Sequence, residues 1–581
     1  MAGKRKWAWA GMAAIGLLLV TGAYLFAIAP LLATNTVRIS TTGSDGDANY
    51  DALDPAVAYN SVDNEFFVVW AADNPDFADG KLEIYGQRVS VADGSNLGSA
   101  IRISFMGDSD AALQYDAQRP AVAYNPNMNE YLVAWQADDH TLGDNEVEIF
   151  ARRLDGSDGS LLASQIRVSH VTDMGSNRDA LNTAAAYSSQ SNRYLVAWQA
   201  DVQADNEVEI YGALLDDSGT EQVSDFRIST MGIDGDSAYR GQQPDVAYNG
   251  SNNEFYVVWS GDDPAQASGA YEIYGRHVNV LTGALLGSQQ RLSTMGSADS
   301  DPNYSARKPA VAYSSSQNQY LVVWLGDDDV NGADDKYEIY GQRVSAANTE
   351  EGSDTRISTT PIDPNAVYKA INPDVAYDAA QDQYKVVWRG DQDNGSMVND
   401  QFEIFGQLLS ALDLTPDGGN FRVSVMATTD GDTRFGADRT AVAFAAGVDN
   451  ELVVWQGKTD TVVGLAEDEA EIFGRSVSCE AVAAVAPTIA ITAVGTTARL
   501  TWSDDPANGG GYTVWRSNAP YSGHTQIDSL ASSTVEYNDP NTIGDAVLNY
   551  FYLVRSENIC GASSDDSNLV GEFDFVIVPG S

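Results

Sequence analysis

Four short hydrophobic segments recur in fixed order along most of the chain. The first reads P-A-V-A-Y at 55–59 and returns at 120–124, 183–187 (T-A-A-A-Y), 244–248 (P-D-V-A-Y), 309–313, 373–377 and 440–444 (T-A-V-A-F). The second ends in a tryptophan, at Trp70, Trp135, Trp198, Trp259, Trp324, Trp388 and Trp455. The third is E-I-Y-G or a close variant, beginning at Glu83, Glu148, Glu209, Glu272, Glu338, Glu403 and Glu471. The fourth is R-I-S or a close variant, at 102–104, 167–169, 227–229, 291–293, 356–358 and 422–424. Each segment is rich in Val, Ile, Tyr and Phe and is set off by Gly, Asp, Asn and Ser, which predicts strands joined by turns. The second segment (L-V-V-W, F-V-V-W) is apolar throughout and does not alternate, so it is expected to be covered on both faces, as when sheets stack on sheets. Four antiparallel strands per unit, repeated radially, predict an all-β fold, a β-propeller.

The count is offset by one strand. T-V-R-I-S at 36–40 is a fourth segment standing before any unit has begun, and the last unit stops at its third segment, 471–478. If the early strand fills the late gap, the ring has no open edge. The expectation is a seven-bladed β-propeller closed by the N-terminal strand. Beyond it, A-V-A-A-V-A-P (481–487) reads as a linker. A-R-L-T-W (498–502), Y-T-V-W-R-S (512–517) and N-Y-F-Y-L-V-R-S-E-N (549–558) then read as the alternating strands of a small β-sandwich.

The P-x-V-A-Y, L-V-V-W, E-I-Y-G and R-I-S units resemble the secreted propeller-repeat proteins of bacteria and archaea over about 37–478. The last segment is similar to a fibronectin type III module, with Trp502 and the Tyr550/Tyr552 strand in core roles, and this implies an extracellular spacer or adhesion module. The domains are expected at 1–35 (signal anchor or signal peptide), 36–480 (propeller), 481–487 (linker) and 488–581 (fibronectin type III-like). Propellers host enzymes and binding proteins alike, so the likeness leaves function open.

Residues 1–35 open with M-A-G-K-R-K and continue in an uncharged apolar run from Trp7 to Ala33. That run is longer than a usual secretory core and long enough for a bilayer, which needs about 20 residues. An N-terminal hydrophobic helix with its basic flank inside is expected to anchor the chain, or else to act as a long cleaved signal, with the body outside the cytoplasm either way. The two cysteines, Cys479 and Cys560, are then expected to form one bridge between the propeller's exit and the terminal module.

A formal charge of -49 repels polyanions and argues against a nucleic-acid partner. It suits high salt, calcium-rich surroundings or a cationic partner. The acid concentrates in the loops after the second and fourth segments, which share one side of a propeller. There the third residue after the tryptophan is Asp73, Asp138, Asp201, Asp262, Asp327 and Asp391, with Lys458 in the last unit. These six are candidates for ligand binding, with turn capping as the structural reading. The D-G-D pairs Asp45/Asp47, Asp234/Asp236 and Asp430/Asp432 are the candidates for calcium, although they fall short of an EF-hand loop.

The glutamates of E-I-Y-G and arginines of R-I-S occur once per unit and read as structural ion pairs. An active site should instead break the repeat. The departures noted are His140, His277, Lys458 and the altered third unit; there is no nucleophile elbow, phosphate loop or metal-spaced histidine set. The expectation is therefore an extracellular or cell-surface binding and adhesion protein. It would use an acidic, calcium-dependent propeller face, take an extracellular protein or glycan ligand, and touch the membrane through its N-terminal helix. Enzymatic activity is weighed against. The alternative is a carbohydrate-active enzyme, because a glycosidase needs only two suitably placed carboxylates.

Overall fold

The computed structural model describes residues 36–571 apart from 328–336, 359–368, 392–399, 479–485, 503–510 and shorter loop stretches. The expected N-terminal helix, Cys479, Cys560 and Asp430 lie outside the described residues. Among those described, no helix is long and apolar enough to cross a membrane, so the membrane tether has no support in the structure.

The fold is all-β and of the propeller type. Seven four-stranded sheets follow one another, six of them built from four consecutive strands each. In the seventh, Gly436–Ala445, Asn450–Lys458 and Glu471–Ser478 are joined by Val37–Arg38, with Val37 opposite Gly474 and Arg38 opposite Phe473. The first strands of the seven sheets are Ala52–Asn60, Ala117–Asn125, Ala180–Ser188, Gly241–Asn249, Ala306–Ser314, Ala370–Asp378 and Gly436–Ala445. Each packs against the first strand of the next sheet, and the last packs against the first, so these strands line a central channel.

The apolar second strands are buried as their composition predicts. Every residue of Glu65–Ala72 and of Glu130–Asp138 is buried, and the seven tryptophans are all 0 % exposed. Burying a residue of this size contributes about 4–6 kcal/mol of hydrophobic free energy, before chain entropy. The indole Nε1 of Trp259, Trp324 and Trp455 donates to the sulfur of Met231, Met295 and Met426 at 3.2, 3.4 and 3.1 Å. The hydrophobic clusters each span two neighbouring sheets: Trp135 packs with Phe67 and Val69, and Trp198 with Leu132 and Ala134.

Residues 486–571 form two further sheets, one of three strands and one of four. Ile489, Ala498, Leu500, Trp502, Tyr512, Val514, Tyr552 and Val554 form the core between them.

Candidate functional site

Four of the six aspartates that follow the tryptophans accept hydrogen bonds from loop backbone. Asp73 Oδ1 accepts from Asn74 N at 2.7 Å, Asp201 Oδ1 from Asp179 N at 3.0 Å, and Asp262 Oδ2 from Gly269 N at 2.7 Å. Asp391 spans its loop, accepting from Lys369 N at 2.5 Å and Asp400 N at 3.1 Å. Burial pushes its carboxyl up to about 6. Asp73, Asp138, Asp262, Asp327 and Asp391 are all buried. The structure does not bring the six together; each stays within its own sheet's loops.

The D-G-D turns repeat one local device. The first aspartate faces the R-I-S arginine, Asp45 to Arg38 at 2.8 Å and Asp234 to Arg227 at 2.6 Å. The central glycine needs φ of +87° (Gly46) and +96° (Gly235), and donates its N–H to Glu469 at 2.9 Å and Glu207 at 2.6 Å. The second aspartate holds local groups: Asp47 accepts from Asn49, Asp236 from Ala238, and Asp432 from Arg434. Asp45, Glu469 and Glu471 lie close enough together to share one cation, and Arg38 also reaches all three.

The glutamate–arginine pairs form a lock on the outer half of every sheet. Glu83 accepts from Arg102 Nη2 at 2.8 Å, from Ser104 Oγ and from Met106 N at 2.9 Å. The serine Oγ in turn accepts from Ile84 N at 2.7 Å. The same set recurs around Glu148, Glu209, Glu272, Glu338 and Glu403 with the R-I-S arginine and serine of the same sheet. In the seventh sheet Arg38 and Ser40 supply the partners of Glu471.

The departures singled out in the sequence are peripheral or buried. His140 lies 3.3 Å from Asp139 on an exposed loop, and His277 is buried against Tyr256 and Tyr320. Lys458 pairs with Asp468 at 3.3 Å.

The break in the repeat lies in the channel. Immediately before each P-x-V-A-Y segment stand Asp54, Arg119, Asn182, Gln243, Lys308, Asn372 and Arg439, seven residues with no common chemistry. They share one conformation, with φ between +35° and +57°, a region that non-glycine residues seldom occupy and that costs of order 1 kcal/mol each. A register shift in the pairing of first and second strands at this point, as between Leu53 and Ala56, forms the bulge. Side chains at the ends of the second strands support it: the amide oxygens of Gln456, Gln136 and Gln199 accept from the N–H of Asp54, Asn182 and Gln243, each at 2.9 Å.

These side chains meet at the end of the channel where the first strands begin, on the side carrying the acidic loops. Asp54, Arg119, Asn182 and Arg439, with Pro55, Pro120, Thr183 and Pro244, line a cavity of about 250 Å³. Arg439 pairs with Asp54, Arg119 donates to Asn182, and Lys308 Nζ donates to Asn372 Oδ1 at 2.5 Å. Burial raises the Asp54 carboxyl, against the opposing pull of Arg439 and Arg119.

Two more carboxyls face the channel from the first strands. Asp245 and Asp374 occupy a position that is alanine in the other five sheets (Ala56, Ala121, Ala184, Ala310 and Ala441). Both are half-buried. Asp245 Oδ2 accepts from Val311 N at 2.8 Å. Asp374 accepts from Val375 N and Val442 N, both at 2.8 Å. Burial pushes Asp245 up to about 6; burial, with the charge of Asp245 added to it, pushes Asp374 up to about 7.

No family model and no curated protein matches this chain. Among solved structures it is similar to the α-L-arabinofuranosidase Arb93A of Fusarium graminearum with an iminosugar inhibitor, at 14% identity over 76% of this chain and 97% of that one, TM-score 0.40. It is also similar to the Penicillium chrysogenum α-L-arabinanase with arabinobiose, at 11% identity over 76% and 98%, TM-score 0.38. A third is the Lactobacillus brevis α-L-arabinofuranosidase, at 12% identity over 51% and 89%, TM-score 0.30. These likenesses are of fold, and the proteins named are glycoside hydrolases. None of these three is an adhesion protein, which goes against the expectation of an adhesion protein without enzymatic activity.

Proposed function

We propose that the chain is an exported glycoside hydrolase working in the central channel of a closed seven-bladed propeller that carries a fibronectin type III-like module. The observation that carries this reading is the pair Asp245 and Asp374, two carboxylates placed against the repeat and held at different proton affinities. Glycoside hydrolysis needs one carboxyl that keeps its proton near neutral pH and a second that has lost it. Burial raises both, and the charge of Asp245 raises Asp374 further, so Asp374 suits the acid that protonates the leaving oxygen, and Asp245 the ionised partner that activates water or attacks the sugar carbon. Alanine in the five other sheets leaves the space around them free of further acid. Asn182 and Gln243 offer amide groups to sugar hydroxyls at the mouth.

The test is release of reducing sugar from a panel of arabino-, galacto- and uronate oligosaccharides by the full chain, beside D374N and D245N. Hydrolysis that disappears in both variants is the expected result. Turnover by the variants equal to the parent, or no turnover of any panel member, overturns the reading.

A further inference from the structure

The channel mouth is cationic in a chain whose formal charge is -49. Arg119, Lys308, Arg389 and Arg439 converge there, against Asp54 and Asp438. Two of the cations are neutralised nearby: Arg439 by Asp54, and Arg389, stacked 3.7 Å over the Phe402 ring, by Asp438 at 3.4 Å. Arg119 and Lys308 make no ion pair among the described residues; their polar partners are the amide oxygens of Asn182 and Asn372. The cost of that arrangement is visible in both groups. Burial and then the neighbouring Arg439 hold Arg119 below its ordinary proton affinity; Lys308, although its side chain is exposed, is lowered in the same direction by the surrounding protein and Arg439. The Arg119 guanidinium is half-buried and the Lys308 side chain is exposed at the opening; both are short of counter-charge and both stand on the positive-φ bulge.

We infer that the mouth of the channel is an anion subsite that takes the carboxylate or sulfate of an acidic sugar, so that the substrate is an acidic glycan and not a neutral arabinan. The inference rests on the hydrolase reading and names its substrate class. An anion between Arg119 and Lys308 restores the missing counter-charge, and a guanidinium offers a planar two-point contact to a carboxylate or sulfate. The pair Asp245 and Asp374 lies farther along the same channel, so a sugar bound by its acidic group at the mouth extends its next linkage toward them. The acidic loops surround this entrance and oppose a polyanion. They are exposed and therefore screened by salt, whereas charges inside the channel are screened much less. Binding should accordingly strengthen as ionic strength rises from low to physiological values, the reverse of an ordinary surface ion pair.

The experiment is calorimetric titration of the full chain, in mild detergent, with three probes: a galacturonic acid trimer, the neutral galactose trimer, and inorganic sulfate. The repeat itself supplies replacements that its backbone accepts, since Asn and Gln occupy the matching positions in other sheets. R119N and K308Q are therefore made separately, so that one remains informative if the other fails to fold. The expected result is uronate binding at least ten-fold tighter than the neutral trimer, falling ten-fold or more in either variant while neutral binding is unchanged. Competition by sulfate at millimolar levels would show that the site reads charge, and its absence would show that it reads the carboxylate. Either outcome supports an anion subsite. Equal affinity for the acidic and neutral trimers, or folded variants that keep the difference, overturns it. D374N separates the two claims: uronate binding retained without hydrolysis supports both, and uronate binding by a parent that hydrolyses nothing sinks the hydrolase alone.

Discussion

On the outer half of each sheet a glutamate, an arginine and a serine meet in the same geometry seven times, whereas at the channel mouth seven unrelated side chains share only a backbone conformation. In the outer sets the glutamates and serines are buried and hydrogen-bonded to a half-buried arginine in a repeated arrangement, as expected of parts that hold sheets together. The inner set keeps its strained bulge and varies its chemistry, and the two carboxylates farther along the channel have no counterpart in five sheets. In a repeat protein, sameness marks what every unit needs for stability. Difference held on a constant frame marks what the whole ring does once.

That contrast can be broken at several points. The largest effect is expected from D374N and D245N, which should lower kcat/KM by about 10²–10⁴ without lowering the melting temperature. Substitution in the outer lock should do the opposite. Glu403→Ala leaves Arg422 and Ser424 without their acceptor and should cost about 3–5 kcal/mol of stability, read by denaturant unfolding, with turnover unchanged at low temperature.

A third effect is in pH. Activity should rise through an apparent value of about 6 and fall through about 7, and D245N should remove the acid limb. Stability should follow a matching course. Both carboxyls hold protons in the folded chain above the ordinary aspartate value, so their contribution is full below about pH 4 and is lost as pH rises through 6 and 7. The double Asn variant should flatten that decline. The smallest effect sits at the bulge: Lys308→Gly relieves the φ of +52° and should raise stability by up to about 1 kcal/mol, at the expense of binding.

The fold was legible because its signals recur: tryptophan strands apolar on both faces, turn residues between them, and one fourth segment displaced to the start. The lock was legible for the same reason, since Glu83 and Arg102 have counterparts in every unit. The channel site was not. Asp245 and Asp374 look like tolerated variation inside P-x-V-A-Y, and Arg119 or Lys308 look like linker residues before it. Their meaning lies in the curvature that brings seven distant positions to one opening, which no local spacing expresses. The rim aspartates show the converse, because repetition favours turn capping. Repetition made Asp73 and Asp391 conspicuous, yet their carboxylates are occupied by the loops they close. A signal was available all the same: read down the column before each P-x-V-A-Y segment, D, R, N, Q, K, N and R disagree in charge from unit to unit.

The strand Val37–Arg38 adds a consequence for how the molecule comes into being. Its partner Glu471 lies 433 positions away, so the first piece of sheet to leave the ribosome is among the last to find its place. Contacts of such sequence separation slow folding, because a long loop must close before they form. Until the seventh sheet is made, the growing chain carries an unpaired edge at each end of an open arc. A chain interrupted in synthesis would keep those edges, which are open to pairing with other chains.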